Sequence, residues 1–181
     1  MPFSDPEKNV RYLKLEEGMR VADFGTGSGA YVPALARRVG NTGKVYAIDI
    51  QQELLRTLER RVREEGIKNV EFVWSDLDEP SGSKLQTASQ GAVVIANVLF
   101  QSENKLGLLR EAWRVLKPGG ALLVVDWSDS FSNLGPVPEA VVTLTQAKSL
   151  LSEAGFAPER EFEAGDHHYG IVSRKDRKEK L

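Results

Sequence analysis

The chain has 181 residues, 41% apolar and 28% charged, with a formal net charge of -2. That suits one domain with a real core and resembles neither a disordered polypeptide nor a disulfide scaffold. Cysteine is absent and His167 and His168 are the only histidines, which excludes disulfides, thiol nucleophiles and Cys-based metal sites and leaves too few ligands for structural zinc. The mild acidity argues against a large nucleic-acid footprint. No run approaches the roughly 20 apolar residues of a membrane span, and Met1 to Pro6 lack the apolar stretch of a secretory signal. The expectation is a cytoplasmic protein without membrane contact.

Residues 1–18 are polar with scattered anchors (Phe3, Val10, Tyr12, Leu13, Leu15) and predict a short helix leading to Gly18. Met19 to Phe24 is a short apolar run that ends in Gly25, Gly27 and Gly29, at every second position. A helical pattern follows at once, with Tyr31, Leu35, Ala36 and Val39 on one side and Arg37 and Arg38 on the other. Pro33 falls in its first turn, where a missing N–H costs little, and Gly40-Asn41-Thr42-Gly43 ends it. The unit is strand, glycine bend, helix. A side chain in the bend would keep a ligand from the backbone. The helix amino terminus offers unpaired N–H groups and the positive end of a dipole. A nucleotide-like cofactor is therefore expected. Gly25 and Gly27 followed by Ala30 also satisfy the dinucleotide fingerprint, so the spacing leaves NAD open.

Lys44 to Asp49 reads as the second strand and stops on an acid. Gln51 to Glu65 is a charged amphipathic helix with Leu54, Leu55, Leu58 and Val62 on its buried stripe, closed by Gly66. Val70 to Trp74 is the third strand, ending in Ser75-Asp76-Leu77, and a short helix is predicted over Lys84 to Ser89. Ala92 to Ala96 is continuously apolar, as in a strand buried on both faces, and ends at Asn97. Ser102 to Leu116 predicts a helix with Leu106, Leu109, Trp113 and Leu116 inward. Lys117-Pro118-Gly119-Gly120 reads as a structural turn into a fifth strand, Ala121 to Trp127. A loop over Phe131 to Pro138 leads to a helix at Thr143 to Ala154, closed by Gly155. Two strands near Pro158 to Glu163 and Tyr169 to Arg174 pair as a hairpin, and Lys175 to Leu181 is a charged, frayed tail.

Five strands alternating with helices imply a parallel sheet covered on both faces, with right-handed crossovers. Ligands of such sheets sit beyond the carboxyl ends of the strands, where the strand order reverses. The polar residues past those ends are Asp23 to Gly29, Asp49, Asp76, Asn97 and Trp127 to Asp129, and they are expected to converge on one crevice.

Four stretches together, Asp23 to Gly29, Val45 to Asp49, Ser75-Asp76-Leu77 and Arg114 to Gly120, resemble the class I S-adenosylmethionine-dependent methyltransferases. The likeness is greatest to the small-molecule branch that contains the ubiquinone/menaquinone methyltransferase-like proteins. The resemblance implies an α/β, Rossmann-like, doubly wound and mainly parallel seven-stranded sheet. Its C-terminal strand is antiparallel and helices cover both faces. It implies a single methyltransferase domain over residues 1–181, with an N-terminal segment 1–18 and a flexible tail 175–181. It implies S-adenosyl-L-methionine as cofactor and a small-molecule acceptor, with Asp23, Gly25, Thr26, Gly27, Gly29, Asp49, Ile50, Asp76, Leu77 and Asn97 on the cofactor side. Asp76 or the Leu77 backbone would meet the exocyclic amine of adenine, and Ile50 the adenine ring.

The residues support this on their own terms. A carboxylate at Asp49 can accept from both ribose hydroxyls, a feature that fits NAD equally well. Asp23 discriminates, because an acid two residues before the first glycine repels a pyrophosphate and suits an ammonium or sulfonium. The acceptor side is open. Methyl transfer is an in-line displacement that positioning itself accelerates, and a base is needed only where the acceptor must lose a proton first. His167 and His168 are the candidates for that base, against a plain reading as a polar turn pair. Tyr31, Phe100 and Trp127 stand near the strand tops as pocket or core aromatics. Asn97-Val98-Leu99-Phe100 replaces the Asn/Asp-Pro-Pro-aromatic motif of the amino-group methyltransferases, which argues against an adenine or glutamine-amide acceptor. Residues 1–18 and 128–142 are the only material for a lid, so the pocket is either open or completed by a second subunit of a homodimer. A protein or RNA methyltransferase, an NAD-dependent oxidoreductase and a non-catalytic cofactor-binding module remain the alternatives.

Overall fold

The apolar run before the glycine bend forms β1, Arg20–Phe24, which is buried from Val21 onward. In the computed structural model, which describes residues 4–131 and 135–176, it lies inside a seven-stranded sheet. The other strands are β2 (Lys44–Asp49), β3 (Val70–Trp74), β4 (Gln90–Ala96), β5 (Leu116–Trp127), β6 (Phe156–Gly165) and β7 (His168–Lys175). Their order is β3-β2-β1-β4-β5-β7-β6. β1 to β5 pair in parallel, and β7 is antiparallel to both β5 and β6. The order reverses between β1 and β4, and that is where a crevice opens in a doubly wound sheet.

Helices cover both faces because β1, β2 and β4 are apolar on both sides. Leu108, Leu109, Ala112 and Val115 of α4 (Lys105–Val115) and Ala147 and Leu151 of α5 (Leu144–Glu153) pack on one face with Phe24, Ile48 and Ile95. Leu35 and Val39 of α2 (Val32–Val39) pack on the other, with Val10 and Leu13 of the 3-10 turn that follows α1 (Pro6–Asn9). Leu58 and Val62 of α3 (Gln52–Glu64) meet Val32 and Ala47 on that same side. Leu122 is fully buried in the centre of β5. Leu122→Ala should therefore cost about 2–5 kcal/mol of stability, read as a lower denaturant midpoint with an unchanged slope.

Four expectations need correction. Residues 84–89 form no helix: Ser81, Lys84 and Ala88 have φ of 56, 57 and 51°, and the Arg114 guanidinium holds the loop through the Leu85 carbonyl and Thr87 Oγ1. α4 begins at Lys105, because Asn104 caps it by accepting from the Gly107 N–H at 3.0 Å, and Leu106 and Trp113 are only partly buried. Residues 117–120 bulge within β5 instead of preceding it: Leu116 already pairs with Gln90, and Ala121 pairs with Ala92. Gly119, at φ 79°, permits the excursion. Finally, the tail starts later than its charge suggests. Lys175 is buried in β7, over the Trp113 ring, and donates to the Trp113 and Leu116 carbonyls at 2.9 Å. Phe3 and the remainder of the expected tail from 177 lie outside the described residues. Among the described residues no helix is long and apolar enough to cross a membrane.

Candidate cofactor site

The glycine bend is held from below by the backbone of β2. The N–H groups of Gly25 and Thr26 both donate to the Ile48 carbonyl at 2.9 Å, and Gly29 N–H closes the bend on the Thr26 carbonyl at 2.7 Å. Gly25, Gly27 and Gly29 have φ of 69, 53 and 76°, a region that favours glycine. The three serve different ends. A Cβ on Gly29 would lie 2.2 Å from Leu58, so that glycine lets the bend sit on α3. A Cβ on Gly25 would lie 2.4 Å from Val98, where the β4 loop crosses. A Cβ on Gly27 would meet nothing nearer than 4.0 Å and would project into open space.

That space is a cleft of about 630 Å³ lined by Gly25, Gly27, Asp49, Ile50, Asp76 and Leu77, together with residues from the loops before α3 and α4. Asp49 is its best-defined group. One carboxylate oxygen accepts the Gly27 N–H and the other the Gln51 N–H, both at 2.8 Å. Two bonds from two loops fix the carboxylate plane and leave further lone pairs for ligand hydroxyls. Ile50 beside it is 57% exposed, an apolar surface without a cover. The Trp74 indole N–H holds the Ile50 carbonyl at 2.9 Å. Asp76 accepts the Asp78 N–H at 2.9 Å, and Asp78 in turn accepts from Ser102 Oγ at 2.5 Å and Glu103 N–H at 3.1 Å. That clasp joins the loop after β3 to the loop before α4, and all three of its residues line the cleft.

Asp23 and Thr26 lie beneath the bend instead of on the cleft wall, at 2% and 6% exposure. Thr26 Oγ1 donates to Asp23 Oδ2 at 2.6 Å. Burial pushes the Asp23 carboxyl up to about 7, the Thr26 hydroxyl opposes this and the Asp49 charge adds to it. Asn97 ends β4 at φ 58° with its Oδ1 buried and without a hydrogen-bond partner among the described residues; its neighbour Val98, not Asn97, lines the cleft.

The expected convergence is thus partial. Ser128, His167 and His168 line a second cleft at the β6–β7 turn, not the one at the glycine bend. His167 Nδ1 lies 2.7 Å from Asp129 Oδ1 and its ring stacks on Phe131. His168 is buried against Trp127, with Nδ1 2.8 Å from the Asp166 carbonyl. Tyr31 is a docking residue for the N-terminal segment, its hydroxyl within 3.0 Å of Asn9 Nδ2. Sequence reasoning missed Gln51, Asp78, Ser102 and Glu103. Only the polar character of residues 101–104 and the acid two places after Asp76 hinted at them.

Asp49, Asp76, Asp78, Glu79 and Glu103 all line the cleft, and among the described residues no lysine, arginine or histidine does. Such a wall repels a pyrophosphate and accommodates a cation. A glycine bend, a clamped carboxylate, an exposed apolar residue and an acidic wall meet at the switch point of this α/β sheet.

The comparisons agree. A family model described as a methyltransferase domain matches residues 15–155, and the chain belongs to that family. The crystal structure of a SAM-dependent methyltransferase from Aquifex aeolicus superposes with a TM-score of 0.86 at 34% identity, over 95% of this chain and 90% of that one. The arsenite methyltransferase of Aquipseudomonas alcaligenes is 33% identical over 132 residues, 67% of this chain and 38% of that protein. A ubiquinone/menaquinone biosynthesis C-methyltransferase of Idiomarina loihiensis is 33% identical over 119 residues, 65% of this chain and 46% of that protein. The chain spans less than half the length of these curated relatives. S-adenosylmethionine is the cofactor of the class, and the site fits it. The space a Cβ on Gly27 would enter is open, Asp49 has acceptor capacity to spare, and the wall is anionic.

Proposed function

We propose that the chain transfers a methyl group to a small-molecule acceptor by in-line displacement, with Asp49 as the residue that fixes the cofactor. The observation that carries this reading is the Asp49 carboxylate, clamped at 2.8 Å by the N–H groups of Gly27 and Gln51 at the edge of an acidic cleft. The bound cofactor supplies an electrophilic methyl on a sulfonium. The chain supplies the geometry: Asp49 accepts the ribose hydroxyls, Asp76 and the Leu77 backbone meet the adenine edge, and Ile50 covers the ring. Asp23 balances positive charge from beneath the bend, where Gly25, Thr26, Gly27 and Gly29 keep the backbone close. Asn97, behind the cleft-lining Val98, keeps a buried Oδ1 without a hydrogen-bond partner among the described residues, and the reading places it beside the cofactor without direct contact.

A small acceptor is supported by the relatives, whose names cite arsenite and quinone biosynthesis, and by a cleft wall that opposes a polyanion. His167 and His168 line another cleft, so the reading assigns neither a catalytic part. A homodimer that completes the pocket and a cytoplasmic location belong to the same reading. Incubation with methyl-labelled cofactor and a metabolite extract tests it: a labelled small product is expected, and label recovered only in protein or RNA would sink it. Gly27→Val offers a second check. Its side chain would occupy the cleft, so the thermal shift produced by S-adenosylhomocysteine should vanish. The left-handed backbone should cost the apo protein only about 1–2 kcal/mol.

A further inference from the structure

We propose that the opposite end of the sheet holds a second ligand site, for a small molecule that bears a di- or triphosphate. Arg20 opens β1 and Lys44 opens β2, and the two are register partners in adjacent parallel strands. Lys68 stands just before β3. All three line one cleft of about 590 Å³ with Asn41, Thr42 and Tyr46, and among the described residues no carboxylate lines it. Among the described residues none of the three is ion-paired, whereas Arg37, Arg56, Arg61, Arg63, Arg114 and Arg174 each meet a glutamate. Like charges in register across two strands repel one another. In a chain of net charge -2, three unneutralised cations around one hollow are an arrangement that an anion relieves.

The hollow is built, not only charged. The Arg20 guanidinium donates to the Tyr46 hydroxyl and lies 5.2 Å over its ring. Tyr46 is 5% exposed, so the guanidinium is aimed by a fixed partner. Asn69, also buried, donates through Nδ2 to the Ala36 and Gly40 carbonyls at 2.9 and 2.8 Å. Those are carbonyls at the end of α2, where the negative end of the helix dipole would otherwise oppose an anion. Gly43 is packed so closely that a Cβ would lie 2.5 Å from the Val39 carbonyl and 2.6 Å from that of Met19. The floor between α2 and β2 therefore cannot shift freely.

Acids border the cluster, and Lys68 itself also lines the neighbouring cleft that holds Glu59 and Glu71. Glu16 and Glu17 precede Gly18, and Glu71, the register partner of Tyr46, lines a neighbouring cleft. They confine the positive field to the footprint of one small ligand and oppose a nucleic-acid strand, whose binding needs an extended basic surface. Three cations and a phenolic hydroxyl match the charge and acceptor density of two or three linked phosphates.

The test is calorimetry on the full chain at low ionic strength, with inorganic pyrophosphate and ATP titrated separately. Both are expected to bind. A tighter ATP isotherm assigns the phosphates to a nucleotide, and equal affinities assign them to free polyphosphate. Lys44→Gln with Lys68→Gln should weaken binding by about tenfold or more, and Glu71→Gln should strengthen it. S-adenosylhomocysteine affinity should not change in either variant, which separates this site from the cofactor cleft and guards against a folding defect. Absence of binding at millimolar pyrophosphate would overturn the proposal. So would equal affinity in the doubly substituted chain, or tighter retention of a short RNA than of ATP.

Discussion

Asp49→Ala should weaken S-adenosylmethionine binding by about a hundredfold or more in a calorimetric titration, because hydrogen bonds to a charged group contribute about 1.5–3 kcal/mol each. Two ribose hydroxyls would lose their acceptor. The bend would also lose the Gly27 N–H bond at 2.8 Å, and the start of α3 the matching bond from Gln51. Asp49→Asn separates the two contributions. Its amide oxygen can still accept one N–H, but the NH₂ cannot accept the other, so an intermediate loss is expected. The fold should survive both changes, since Asp49 sits at the end of β2 and its side chain supports loops, not core. An affinity unchanged in Asp49→Ala would remove this residue from the site and take the proposed function with it.

The second large effect is a pH dependence set by Asp23. Its carboxyl is pushed up to about 7, first by burial, with the Asp49 charge adding and the Thr26 hydroxyl opposing. In the free protein at pH 6 it therefore holds a proton. A cation bound above it favours the ionised form, so the proton must leave on binding. Affinity should rise by about tenfold between pH 6 and pH 8 and then flatten. Asp23→Asn should show a flatter profile, and the difference between the two profiles isolates this group from the titration of the cofactor amine. Identical profiles would mean that Asp23 does not sense the ligand.

The sign for stability is the opposite one. A carboxyl at about 7 in the folded chain, against 3.8 ordinarily, binds its proton more tightly when folded. Its contribution is fully present below about pH 4 and is lost as pH rises through 7. Asp126, fully buried and raised by burial to about 6 despite hydrogen bonds from the Trp127 and Phe100 N–H groups, works in the same direction. The cofactor-free protein should melt at a lower temperature at pH 8 than at pH 5 through these two groups, and the cofactor should restore more of the loss at the higher pH.

Much of the fold was legible because it is written in local patterns. The apolar run before Gly25, the acid that ends β2, the continuous run at Ala92 to Ala96 and the helix stop at Gly155 each declare an element within a few residues. The pattern failed where distant contacts set the backbone. Residues 84–89 look helical by composition, yet they are held open by Arg114, some 30 residues away in the chain. Lys175 looks like part of a solvated tail, yet it caps carbonyls at the end of α4 and the start of β5.

The sequence by itself therefore determined the alternation of strand and helix, the glycine bend and the acids that follow β2 and β3, because period and turn chemistry are properties of neighbours along the chain. Tertiary structure alone decided which of the predicted polar residues share a cleft. It put Asp49 and Asp76 together, tucked Asp23 beneath them, and sent His167 and His168 to another hollow. The reason is the strand order. Because β1 lies between β2 and β4 while β5 and β7 stand further out, residues that all lie along one rim of the sheet reach different sites, and no local pattern carries that order.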